Sequence, residues 1–191
     1  MPIGDGEGRE LVTDGAEIRT RHIASDEGPL LRRLRLAALA DAPAAFWQTL
    51  EIVRDEPAST WTRLAREGAD SPENLVVIAE RAGDAVGMVQ GLTPTRRAWL
   101  RELAAMGGAP EARGTAAGDA LVRAAVDWAR RSGAEAVKLW VAPRNQPARR
   151  LYARHGFVAL GSPQPVTDDP TVKTFIPMLR PLYPARPAAC R

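Results

Sequence analysis

Apolar residues recur along this chain in two periods that alternate in blocks. From Asp119 onward, Leu121, Val122, Ala125, Val126, Trp128 and Ala129 repeat at three- and four-residue spacing, and Ser132-Gly133 closes the run. That is one face of a helix with its stop signal. The same period appears earlier in Leu30, Leu31, Leu34, Ala37 and Ala38, behind the capping-type residues Ser25-Asp26-Glu27. Gly28-Pro29 blurs where this helix starts, since proline is comfortable only in a first turn. Asp41-Ala42-Pro43 breaks it, a short apolar segment at residues 44–50 follows, and Pro57 breaks the chain again. Ser59 or Thr60 is then placed to cap a helix through Trp61, Leu64 and Ala65, with Gly68 as its end. Phe46, Trp47 and Trp61 read as packing aromatics ahead of substrate contacts, because large rings are mostly buried.

Between the helical blocks the period drops to two. Residues 17–23 alternate as a half-buried strand does. Residues 74–80 and 85–91 flank Arg81-Ala82-Gly83-Asp84, which predicts a hairpin whose Gly-Asp turn permits positive φ angles. The unbroken apolar run of the first of these strands predicts burial on both faces. Residues 99–106 and Ala136–Val141 are further strands by their branched and aromatic content, and Gly156-Phe157 starts another. Ser162-Pro163-Gln164-Pro165 and Asp168-Asp169-Pro170 mark a long loop before a last strand at residues 172–179, where Pro177 argues for an edge or a break. The order strand, two helices, hairpin, strand, helix, strand, helix, strand, strand is that of an α/β domain with a mixed sheet covered by helices. Residues 1–15 read as a flexible leader, 16–182 as one domain and 183–191 as a loose tail.

Composition narrows the function classes. A chain of 191 residues, 45% hydrophobic and 26% charged, has enough apolar material for one globular domain with a sizeable core. The formal net charge is only +3, and the basic residues are scattered among acids, so nothing marks a nucleic-acid surface. The single cysteine, Cys190, allows no intrachain disulfide and no thiolate cluster. Two histidines, His22 and His155, make no ligand set, so no metal is expected. No apolar run is long enough to span a bilayer, and residues 1–10 lack the apolar core of a signal peptide, which predicts a cytoplasmic protein without a membrane partner.

The candidate chemistry lies in residues 104–118, AAMGGAPEARGTAAG. Small residues and glycines here join a strand to a helix. Such a turn offers free main-chain N–H groups and the positive end of a helix dipole to an anion. A P-loop needs Lys and then Ser or Thr after its last glycine, whereas Asp119-Ala120 follows Gly118; no G-x-G-x-x-G spacing occurs either. The segment Arg113-Gly114-Thr115-Ala116-Ala117-Gly118 resembles instead the pyrophosphate loop, Arg/Gln-x-x-Gly-x-Gly/Ala, of the Gcn5-related N-acetyltransferase (GNAT) superfamily. Downstream, Asn145-Gln146-Pro147-Ala148-Arg149-Arg150-Leu151-Tyr152 and then Gly156-Phe157 resemble that family's Asn-x-x-Ala-x-x-Leu-Tyr helix and Gly-Phe strand start, in matching order and spacing. The resemblance is strong over residues 104–161 and weaker, in the expected order, over 17–91.

The resemblance implies a GNAT fold: a mixed sheet of about six to seven strands flanked by about four helices, with acetyl-CoA as cosubstrate lying where the fourth and fifth strands splay apart. It implies acetyl transfer to a primary amine of a small molecule or of a peptide or protein, by a monomer or homodimer. The main-chain amides of Arg113, Gly114, Ala116, Ala117 and Gly118 would bind the pyrophosphate, with Arg113 adding charge. The main chain of Met106, Gly107 and Gly108 would line the pantetheine arm and thioester, and Asn145 would bond the arm or cap its helix. Tyr152 would protonate the departing thiolate. Glu102, four residues before Met106 and so on its face by the two-residue period, is the candidate base. Ala116, standing where glycine is usual, predicts a Cβ that crowds the ligand or reshapes the turn. That departure, with Gly107 and Gly108, motivates the alternative of a CoA-binding or regulatory domain that no longer catalyses.

Overall fold

A computed structural model describes residues 17–166 and 173–182. The expected leader and tail, the 168–170 loop turn, Val172 and Cys190 lie outside the described residues. Strand β1 (Ile18–His22) leads to helix α1 (Gly28–Asp41), a short 3-10 turn (Pro43–Ala45), and helices α2 (Leu50–Arg54) and α3 (Ala58–Asp70). The hairpin is β2 (Asn74–Arg81) and β3 (Asp84–Leu92), followed by β4 (Leu100–Gly108) and a second 3-10 turn (Pro110–Ala112). Helix α4 (Ala117–Arg131), β5 (Ala136–Val141), α5 (Gln146–Arg154), β6 (Val158–Ala159), β7 (Gln164–Pro165) and β8 (Thr174–Pro181) complete the order. The two-residue β7 and the single-turn α2 go beyond the elements that the sequence pattern predicts.

All strand pairs are antiparallel except β4 with β5, and the sheet runs β1-β2-β3-β4-β5-β8-β6, with β7 also on β8. β2 shows why this sheet is covered on both sides. Its residues Leu75, Val77 and Ala79 pack with Leu121, Val122 and Trp128 of α4, while Val76 and Ile78 pack with Leu31 and Leu39 of α1 and Trp61 of α3. All five β2 residues are buried, as the unbroken apolar run requires, and each large branched side chain so placed contributes about 1.5–3 kcal/mol. Arg21 fastens β1 to its neighbours through Glu80 (Nε to Oε1, 2.7 Å) and Glu27 (2.6 and 2.8 Å).

Several local readings change. Ser25 and Asp26 do not cap α1; Glu27 stands at the N-cap and its carboxylate turns back to accept from the Ala24 N–H at 2.8 Å. Ser59 and Thr60 lie inside α3 behind Pro57, and Gly68 does not end that helix. A Cβ on Gly68 would meet Val76 Cγ2 at 2.4 Å, so the glycine lets α3 lie directly on β2. In the hairpin turn Ala82 (φ +53°) shares the positive-φ role with Gly83 (φ +89°), the mirror-image turn that matches strand twist. Pro177 neither breaks β8 nor lies on an edge strand, since β8 pairs with β5 on one side and β6 and β7 on the other. Its carbonyl accepts from the Leu160 N–H at 2.8 Å on the β6 side, and a strand residue presents both main-chain groups to one side. The missing N–H therefore faces the gap between β6, paired to Met178 and Leu179, and β7, paired to Thr174 and Phe175.

Gly91 supplies a test of this packing. A Cβ there would fall 2.6 Å from Trp128 Cζ3 and 3.1 Å from Leu75 Cβ. Gly91→Val is expected to destabilise the domain by about 1–3 kcal/mol in urea unfolding, as overpacked cores do. Unchanged stability would show that α4 does not rest on β3 as described.

Candidate active site

The site begins with a fault in β4. Met88 of β3 stands opposite Gly107 and Gln90 opposite Ala104, so two β4 residues, Ala105 and Met106, face the single Val89. Ala105 takes φ +50° to make this bulge. On its other edge β4 pairs with β5 only from Leu100 to Leu103, opposite Ala136 to Leu139, and beyond that the two strands part. Residues 104–108 are left with one strand partner, and their outer edge opens onto a cleft of about 800 Å³.

The loop after β4 forms one wall of that cleft. Gly114 turns it with φ +74°, and the Thr115 hydroxyl pins it, donating to the Ala112 carbonyl at 2.6 Å and accepting from the Ala117 N–H at 3.2 Å. The Arg113 N–H donates to Pro110 O. Of the five amides expected to face an anion, those of Arg113 and Ala117 are thus already engaged, while those of Gly114, Ala116 and Gly118 have no acceptor among the described residues. They sit at the start of the fifteen-residue helix α4, where the dipole adds to their pull on negative charge. Ala116 has φ −71° and ψ 0°, angles open to any residue, so its Cβ neither strains nor reshapes the turn.

Helix α5 makes the facing wall. Asn145 caps it, its Oδ1 accepting from the Ala148 N–H at 3.2 Å, and lines the cleft as it does so. Tyr152 lies against the floor with its hydroxyl donating to Met106 Sδ at 3.5 Å and its ring edge-on to Phe157. Burial pushes the Tyr152 phenol up to about 12. Asp119, in the first turn of α4, ties the two walls together: His155 Nε2 lies 2.8 Å from its Oδ1, and Arg154 lies 3.2 Å from its Oδ2. Burial opposes its ionisation, but these two partners hold its carboxyl below the usual range.

The third side belongs to α1 and the connection behind it. Asp41, at the α1 terminus, forms an ion pair with Arg113, so the loop arginine is not free in solvent. Ala38 and Phe46 close over Gly107, where a Cβ would meet Ala38 Cβ at 2.6 Å and Phe46 Cζ at 3.6 Å. Gly107 is therefore what lets α1 approach the splayed strand, and Gly118, 3.1 Å at its Cβ position from Leu151, does the same between α4 and α5.

Residues 36–157 match the family model of the acetyltransferase (GNAT) family. The chain belongs to the GNAT acetyltransferase family. A mycothiol acetyltransferase of Thermomonospora curvata is 34% identical over 146 residues, 76% of this chain and 45% of that protein. The chain thus spans about half the length of the curated relatives it matches. Among solved structures, a Salmonella typhimurium protein with its cofactor acetyl-CoA superimposes with TM-score 0.70 at 19% identity, over 91% of this chain and 99% of that one. Spermidine N-acetyltransferase of Vibrio cholerae, in complex with CoA and spermine, gives 0.67 at 17% identity, over 86% and 95%.

As a GNAT site, the cleft brings together Met106, Gly107, Gly108, Arg113, Gly114, Ala117, Gly118, Asn145 and Tyr152, all of which line it. Ala116 is exposed beside it and offers only its N–H. Glu102 does not share a face with Met106: the extra residue at the bulge turns Met106 to the α4 side with Leu103, leaving Glu102 on the α1 side with Ala104 and Gly107. There its Oε1 accepts from Trp140 Nε1 at 2.8 Å, and Lys138 lies over the same indole ring. The residues fit an acetyl-CoA cosubstrate, with three amides at and before a helix N-terminus that have no acceptor among the described residues for the phosphates, and an unpaired strand edge for the amide-rich arm. Asp41 and Thr115 were missed; a helix-ending Asp and a loop Thr carry no signal until the loop is folded against α1. Among the described residues no group of three or more His, Cys, Asp or Glu could hold a metal ion, and no helix is long and apolar enough to cross a membrane.

Because Ala116 already has ordinary angles, Ala116→Gly is expected to leave acetyl-CoA affinity unchanged or to weaken it, by no more than about 1 kcal/mol of added loop freedom. Calorimetric titration decides this, and a tenfold tightening in the glycine variant would contradict the geometry.

Proposed function

We propose that this chain transfers the acetyl group of acetyl-CoA to a primary amine of a small molecule or peptide, with Tyr152 as the acid. The observation that carries the reading is the placement of a buried tyrosine hydroxyl at Met106, on the strand segment that has lost its partner. Acetyl-CoA supplies the acyl group and a thiolate leaving group. The amides of Gly114, Ala116 and Gly118 bind its phosphates, Arg113 exchanges Asp41 for them, and the open edge of residues 104–108 orients the arm. The main-chain N–H of Met106, on the side of β4 that has lost its partner, polarises the carbonyl, an arrangement that acts through preorganised dipoles. Glu102, held by Trp140 on the side of the sheet that carries Gly107, takes the amine proton through water. Mycothiol acetyltransferases and a spermidine N-acetyltransferase among the similar proteins support an amine acceptor without choosing one.

Thiol release from acetyl-CoA across an amine panel tests the reading; saturable cofactor binding with no release from any amine would reject it. Tyr152→Phe should lower kcat by roughly ten- to a thousandfold with little change in acetyl-CoA affinity, the usual range for a lost general acid. Since the phenol titrates near 12, it keeps its proton through neutral and mildly alkaline pH, and Tyr152 should cause no fall in wild-type kcat as pH rises to about 10. An alkaline limb near 8 that disappears in Tyr152→Phe would be inconsistent with this burial. Glu102→Gln should lower kcat/KM by about ten- to a thousandfold at neutral pH and let raised pH restore part of it, because more acceptor is then already deprotonated. A variant with the wild-type pH profile would exclude Glu102 as the base.

A further inference from the structure

Arg35 is a buried cation with no carboxylate partner among the described residues. It lies in the buried stripe of α1 with Leu31, Leu34, Ala38 and Leu39, and only 6% of its surface reaches solvent. Its Nη2 donates to the neutral Gln48 Oε1 at 3.1 Å, its guanidinium stacks 4.5 Å from the centre of the Phe46 ring, and its Nη1 is buried with no partner. No carboxylate among the described residues pairs with it. Arg101, buried to the same degree, also has one unpartnered nitrogen, Nε, but its two terminal nitrogens donate to the carbonyls of Ala98, Leu100 and Ser132, whereas Arg35 has the single neutral acceptor Gln48. Burial lowers the Arg35 pKa only to about 10, so the side chain stays charged at neutral pH. A buried, uncompensated cation is strongly unfavourable, and a methionine would complete the α1 stripe without that penalty.

Its position says where a partner arrives. Ala38, one turn further along α1, and the Phe46 ring both abut Gly107 at the splay, and Phe46 lines the cleft. One phenyl ring therefore separates the guanidinium from the strand edge at which transfer takes place. The phosphates of the cosubstrate have their own donors at the far wall, at Gly114, Ala116 and Gly118. We infer that Arg35 recognises a carboxylate carried by the acceptor amine, within a few bonds of its nitrogen, so that the acceptor is an α-amino acid or a closely similar amino-carboxylate. Rotation of the Phe46 side chain opens the guanidinium to the cleft, and the carboxylate gives it a charge-assisted partner. An amine without the carboxylate leaves the cation unpaired, which is how a buried polar group rejects an analogue. The inference deepens the transferase reading by naming the acceptor class, and it rests on that reading for the role of the occupant.

The test compares the common α-amino acids, each beside the amine left by loss of its carboxyl group, in wild type, Arg35→Met and Arg35→Lys. Thiol release should favour the amino acids by about ten- to a hundredfold in wild type, the loss of one charged hydrogen bond. Arg35→Met should abolish the preference by raising KM for amino acids by that factor while leaving acetyl-CoA affinity and turnover of the decarboxylated amines unchanged. Its melting temperature should equal or exceed wild type, whereas a purely structural arginine would lower it. Arg35→Lys, which keeps the charge, should retain part of the preference. Calorimetry of N-acetylated α-amino acids and N-acetylated amines with the CoA-loaded protein reads the same site without turnover. Carboxylates that bind wild type and not Arg35→Met, with no thiol release from any amine, would uphold the anion site and reject the transferase reading. Equal turnover of both members of each pair, a preference that survives Arg35→Met, or no binding of any carboxylate would overturn the inference.

Discussion

The separation of β4 from β5 after Leu103 is the constraint on which the rest of the structure depends. Two parallel strands that stop pairing expose main-chain donors and acceptors on an inner edge, and such groups are seldom left without partners. Here the bulge at Ala105 sharpens the parting and swaps the faces of the strand, so that Met106 turns toward α4 and Gly107 toward α1. The cleft is what remains between them. Because it forms in the middle of the sheet rather than at its margin, it is walled by α4 and α5 on one side and by α1 on the other.

The walls are held by small devices. Glycines at 107 and 118 allow α1 against β4 and α4 against α5, and the two pairs Asp119–His155 and Asp41–Arg113 add polar links between α4 and the end of α5 and between α1 and the loop. Partly exposed ion pairs of this kind are worth about 0–1 kcal/mol each, so their effect is to orient the walls more than to stabilise the domain. Stability comes from the two cores on either side of β2. Arg113 and Asp119 both line the cleft and both are already paired, so the mouth of the cleft is close to electrostatically neutral.

Tyr152 and Arg35 are opposite uses of burial. The phenol is neutral, so removing water around it raises its pKa and favours the protonated form. The guanidinium is charged, so the same desolvation leaves a buried donor without an acceptor. Both groups reach the splay through an aromatic or sulfur neighbour, Phe46 and Met106, and this sets the unpaired edge of β4 between a protonated phenol and a cation.

Local chemistry made most of the chain order legible in advance. Residues 121–129 repeat at helical spacing because one stripe of α4 must be buried, and Leu75 to Ala79 are apolar without interruption because β2 has a core on each face. The glycine-rich loop and the Asn145 to Tyr152 helix announced a cofactor cleft, since close approach of a ligand to backbone restricts residue type. Pro177 and Gly68 were read by residue habit alone and misjudged, because each is placed by a neighbour distant in sequence: the β6–β7 gap and Val76. The face assigned to Glu102 was wrong for the same reason in a stricter form. A two-residue period assigns faces only while the ladder is regular, and whether a strand bulges depends on the register of its partner. The spacing of apolar and small residues determined the elements and the class of chemistry. Only the packing of α1 and β3 against β4 decided which side chains face the reaction, because sheet register and burial are properties of contacts between segments and not of any one of them.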